Sequence, residues 1–244
     1  MEIRICNDKV TLGKSAAEFA AMLINKAIAE KGSARIALST GASQFDTLAH
    51  LVKQDVDWTK VEMFHLDEYV DLPETHPASF RKYLKEKFVG LVPIGKVHFV
   101  EGTEQNRQKI SAKISESPID VGLIGIGENS HIAFNDPPAD FDTEEPYVVV
   151  DLNDTCKNQQ VGEGWFKTTD DVPRQAVSMS VKQIMKCRSI ISCVPYAVKA
   201  DAVLNTLKGE VSNTVPATIL KTHPDFTLYI DRDSAKGLSL PVMW

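Results

Sequence analysis

No stretch of this chain is apolar for long enough to span a bilayer, and its opening residues, MEIRICNDKV, lack the apolar core of a secretion signal. Cysteine is sparse. Cys6, Cys156, Cys187 and Cys193 form no CxxC pair, which argues against a zinc site or a redox couple. Apolar neighbours around Cys187 and Cys193 predict buried thiols, and the pattern as a whole fits a reducing cytoplasm. Basic clusters are also missing. With 27 Lys and Arg against 33 Asp and Glu, the net charge is −6, which argues against nucleic acid and anionic membranes as partners. An anionic substrate would therefore need a local site, because the overall field repels it. There is no internal repeat, low-complexity tract or linker.

What is present reads as one α/β domain over residues 1–244, with 43% hydrophobic and 25% charged residues. Ile3–Ile5 suits an edge strand. Strands are expected at Arg35–Ser39, Val61–His65, Val97–Val100, from Val121, at Tyr147–Asp151, Ser189–Val194 and Phe226–Ile230. Helical spacing runs over Ser15–Ala29, Ser43–Val52, Ser79–Phe88 and Thr103–Ser115, and again through Ala200, Val203, Leu204 and Leu207. Between Tyr147–Asp151 and Ala176–Met179, residues 153–173 read as an irregular polar stretch and a candidate lid. Repeated alternation of strand and helix implies a mostly parallel sheet with helices on both faces.

The chemistry collects at predicted strand ends. In VGLIGIGENSHIAFNDPP, residues 121–138, glycines break an apolar run and Glu128, Asn129, His131, Asn135 and Asp136 follow at once. Ligands bind just beyond the carboxyl ends of strands in such sheets, and His131 has orienting partners within five residues on either side. Ser39, Thr40, Gly41, Ala42 and Ser43 lie between a strand and a helix. Small residues there expose N–H groups and hydroxyls to an oxyanion; the loop is neither GxGxxG nor a Walker A sequence, so a nucleotide is not expected. Asp67 and Glu68 leave another strand end as a candidate acid/base pair. Lys199 and, more weakly, Arg174 are the cations placed to neutralise a phosphate.

Taken together, LSTGAS, HLDEYVDLPETHPASF, GIGENSHIAFNDPP, VPRQAVSMSV, the Lys199 region and VPATILKTH resemble the glucosamine-6-phosphate deaminase/isomerase family, related to the 6-phosphogluconolactonases. The match spans most of the chain, and HIAFN followed by an acidic residue is nearer the deaminases. The resemblance implies a Rossmann-like sheet and an aldose–ketose isomerisation coupled to loss of ammonia, with no metal or organic cofactor. It implies that His131 opens the sugar ring, that Asp67 moves a proton between C2 and C1, and that Ser39–Ser43 and Lys199 hold the phosphate. Substrates would be glucosamine 6-phosphate or an epimer such as galactosamine 6-phosphate. The alternatives are a lactonase, which needs no Asp67, and a non-catalytic sugar-phosphate sensor. A homo-oligomer is compatible with a family that includes both monomers and larger assemblies.

Three positions depart from the deaminase pattern. Asn129 replaces an Asp two residues before the His, and Asp136 replaces a Glu five residues after it. Uncharged Asn129 should raise the His131 pKa less than a carboxylate would, with Glu128 as the nearest acidic residue able to compensate. Gly164 stands where deaminases carry a phosphate-binding Arg, before Trp165 and Phe166, which leaves Lys167 or Arg174 to supply that charge. The short tail ending at Trp244 leads us to expect no activation by N-acetylglucosamine 6-phosphate.

Overall fold

The computed structural model describes residues 1–238, so the expectation attached to the tail at Trp244 lies outside the described residues. Among the described residues ten strands form: β1 (Glu2–Cys6), β2 (Ala34–Leu38), β3 (Val61–His65), β4 (Asp67–Tyr69), β5 (Lys96–His98), β6 (Val121–Leu123), β7 (Tyr147–Asp151), β8 (Gln175–Met179), β9 (Ser189–Val194) and β10 (Phe226–Asp231). The helices are α1 (Lys9–Lys31), α2 (Phe45–Leu51), α3 (Phe80–Lys87), α4 (Glu104–Ile114), α5 (Asp154–Gly162), α6 (Val181–Met185) and α7 (Ala200–Lys208).

Seven strands pair in the order β1-β10-β9-β6-β2-β3-β5, all parallel. The expected edge strand is indeed β1. Alternation along each strand divides the core. Ile36, Leu38, Met63 and Val121 pack under α1, α2 and α3, whereas Ala37, Phe64, Ile190 and Leu228 face α4, α6 and α7. Helix α1 starts before the predicted Ser15, because the Asp8 side chain caps it by accepting from the Thr11 N–H. It ends at Gly32, φ 81°, whose N–H bonds the Ile28 carbonyl.

Two features differ from the sequence reading. Asp67–Tyr69 is not a simple strand exit but the first strand of a second, antiparallel sheet, β4-β8-β7, which also takes the predicted Tyr147–Asp151 strand. Residues 153–173 are irregular only in part. Asn153 caps α5 by accepting from the Cys156 N–H, and a single 3₁₀ turn follows at Thr169–Asp171. Buried Gln160 accepts the Tyr69 hydroxyl at 2.7 Å, and Phe166 packs edge-on against the Tyr69 ring, so the segment is fastened to the small sheet.

Along the large sheet, successive strands step outward in one direction from β2 and in the other from β6. The crevice between their carboxyl ends is therefore a topological switch point, where such sheets bind ligands. Both glycine-containing loops emerge into it.

Candidate active site

A cavity of about 170 Å³ lies at that crevice. Its wall takes Ser39–Ser43 after β2, Asp67 on β4, Gly125–Glu128 and His131 after β6, and Tyr196 and Lys199 after β9. Helix α5 and the residues after it add Gln159, Gln160, Glu163 and Trp165. Asp67 and His131, 64 residues apart in sequence, thus open into one cavity. Gly41, at φ 98°, lets the first loop turn, and the Ser39 hydroxyl ties it to the other by accepting the Gly125 N–H at 3.2 Å.

His131 is held by its neighbours. Any Cβ on Gly127 would sit 2.1 Å from the imidazole, so the ring rests against bare backbone there. The loop itself is strained, with Ser130 at φ 67° and Ala133 at φ 51°. Asn129 Oδ1 accepts both the His131 backbone N–H, at 3.1 Å, and ring Nδ1, at 2.6 Å. The Asn129 amide nitrogen in turn donates to Asp136 Oδ1 at 2.9 Å. That arrangement puts the proton on Nδ1 and leaves Nε2 as the acceptor. Asp136 Oδ1 is itself 3.2 Å from Nδ1. Burial pushes the Asp136 carboxyl up, but its bonds and charge interaction with His131 and its bond with Asn129 hold it below the usual range. Asn129 therefore relays a carboxylate to the imidazole. Asn129 and Asp136 orient His131 from behind and are not part of the cavity wall.

Asp67 is 6% exposed, and burial, reinforced by the neighbouring Glu68 charge, pushes its carboxyl up to about 8. Lys199 is equally buried and makes no ion pair among the described residues; burial lowers its pKa, while Glu163 and Glu128 oppose that shift. No group of three or more His, Cys, Asp or Glu able to hold a metal occurs among the described residues.

Three expectations fail on geometry. Glu68 points out of the cavity, since adjacent residues of a strand face opposite ways. Its carboxylate instead accepts from the Ser79 hydroxyl and the Phe80 and Arg81 N–H groups at the start of α3. Arg174 lines a separate surface groove beside Asp151 and Asp171. Lys167 is exposed and outside the cavity wall, so neither cation replaces the arginine missing at Gly164. Conversely, the sequence reading passed over Gln159, Gln160, Glu163 and Tyr196. The only local hint was Glu163 standing between two glycines.

The model of the family described as glucosamine-6-phosphate isomerases/6-phosphogluconolactonase matches residues 7–228. The chain belongs to this family. It is 32% identical over 246 residues to a glucosamine-6-phosphate deaminase of Thermoanaerobacter pseudethanolicus, covering 96% of this chain and 94% of that protein. A glucosamine-6-phosphate deaminase of Staphylococcus epidermidis is 36% identical over 222 residues, 86% of this chain and 90% of its own. Among solved structures, a monomeric glucosamine-6-phosphate deaminase superposes with a TM-score of 0.85 at 27% identity, covering 96% of this chain and 99% of that one. A 6-phosphogluconolactonase of Thermotoga maritima shares the family fold, with a TM-score of 0.78 at 16% identity over 95% of this chain and 99% of the other.

Proposed function

We propose that the chain is an amino-sugar 6-phosphate isomerase/deaminase that converts glucosamine 6-phosphate to the ketose 6-phosphate and ammonia. The observation carrying this reading is the shared cavity of Asp67 and His131, with Lys199 and the Ser39–Ser43 loop in the same wall. His131 Nε2 accepts the anomeric hydroxyl proton and returns it to the ring oxygen, which opens the sugar. Asp67 then takes the C2 proton while an ammonium proton passes to the C1 oxygen, giving an enolamine, and Asp67 returns its proton to C1. The resulting C2 iminium adds water and expels ammonia, so substrate plus water balances ketose plus ammonia. An ammonium on the substrate lowers the pKa of the buried Asp67 and so prepares the base. Asn129 and Asp136 keep His131 in the tautomer this sequence requires.

Lys199, the loop amides and the hydroxyls of Ser39, Thr40 and Ser43 take the phosphate. Glu128 and Glu163 face sugar hydroxyls or the amine. We further read the whole chain as one cytoplasmic domain acting on small molecules, without nucleic acid or membrane partners. No helix among the described residues is long and apolar enough to cross a membrane.

Ammonia and ketose production from glucosamine and galactosamine 6-phosphates tests the proposal. Asp67→Asn and His131→Gln should each lower the rate by roughly 10²–10⁴. Variants as active as the wild-type chain would overturn the assigned roles. Hydrolysis of 6-phosphogluconolactone without ammonia release would instead favour the lactonase.

A further inference from the structure

Tyr196 has φ 82° and ψ 144°, close to a backbone region that only glycine enters readily. A bulky residue persists in such a conformation where its surroundings hold it, and outliers of this kind gather at ligand clamps. Here the holding contacts are explicit. The Tyr196 N–H donates to Asp231 Oδ2 at 3.1 Å, and the other oxygen of that buried carboxylate accepts the Ser234 N–H at 2.8 Å. The ring lines the cavity, with the Lys9 ammonium 5.3 Å from its centroid. Its hydroxyl donates to the Ala42 carbonyl at 3.3 Å, bridging from the loop after β9 to the loop after β2. Its own carbonyl accepts the Lys199 N–H at 3.0 Å.

Tyr196 therefore touches both halves of the anion-binding end. Among the described residues, the cavity wall contains one lysine, Lys199, and no arginine. A phosphate held by a single lysine depends heavily on how well the loop donors are aimed. We propose that Tyr196 is the positioning residue of the phosphate site: its constrained backbone sets Lys199, and its hydroxyl fixes the Ser39–Ser43 loop. This rests on the reading that the loop and Lys199 take the phosphate.

The test is inhibition of ammonia release by inorganic phosphate, with thermal unfolding of each variant. Tyr196→Phe keeps the ring and the backbone but loses the bridge to Ala42. It should raise the phosphate inhibition constant about three- to tenfold. Tyr196→Gly and Tyr196→Ala should raise it about tenfold or more. The glycine variant should melt above the alanine variant, the reverse of the order at ordinary positions, because only glycine relaxes into this backbone. An unchanged inhibition constant in Tyr196→Phe overturns the proposal, even if melting temperatures move. Alanine melting at or above glycine removes its backbone half. If inorganic phosphate fails to inhibit the unaltered enzyme, the phosphate reading itself falls.

Discussion

Asp67 connects chemistry to stability. The unfolded chain releases its proton near pH 3.9, whereas the buried native carboxyl holds it up to about pH 8. Between those limits the native state binds more protons, so stability declines as pH rises. Asparagine cannot ionise and escapes that decline. The melting temperature of Asp67→Asn should therefore exceed that of the unaltered protein by a gap that widens from pH 5 to pH 8, reaching roughly 5 °C or more. A constant gap in differential scanning fluorimetry would mean that Asp67 ionises freely. The substitution at position 129 reads differently in three dimensions than in one. It does not deprive His131 of a carboxylate, because Asp136 lies 3.2 Å from Nδ1 and Asn129 bonds to both.

At the scale of the element, α5 forms one wall of the cavity and is latched to the small sheet through Tyr69. Removing the hydroxyl in Tyr69→Phe leaves the buried Gln160 oxygen without its donor. That should destabilise the protein by about 1–3 kcal/mol. Amide exchange should accelerate over α5 first, since this element loses its latch while the large sheet keeps its ladder. Uniform acceleration across both sheets would show that α5 does not open as a separate unit. Strand β4 carries the other lesson at this scale. Once Asp67–Tyr69 is a strand, alternation sends Asp67 to the cavity and Glu68 to the α3 terminus.

Across the whole molecule, the cavity draws on the large parallel sheet, the small antiparallel sheet and α5 together. A ligand that fills it binds only where these are docked, and so stabilises the folded chain by mass action. At about 100 times its dissociation constant, glucosamine 6-phosphate should add ~2.7 kcal/mol and raise the melting temperature by several degrees. Lys199→Met keeps the buried bulk but removes the only lysine or arginine that the described residues place in the wall, and should abolish most of the shift. An undiminished shift in that variant would place the phosphate elsewhere.

Much was legible from sequence because it is local. Val61–His65, Tyr147–Asp151 and Ser189–Val194 occur as strands with the bounds their apolar runs suggested, and the loops after β2 and β6 carry the small and polar residues a site needs. Helix α5 was hidden by its polar composition and by Gly162 and Gly164 at its carboxyl end, and β4 by being only three residues long. Which charges face the cavity was decided by tertiary structure alone. Lys199 and Glu163 enter the cavity while Arg174 and Glu68 do not, and Tyr196 joins two loops whose residues stand 154 positions apart. Periodicity reports whether a residue is buried. Its partner is set by strand order and by the docking of two sheets, and these depend on contacts between residues far apart in the chain.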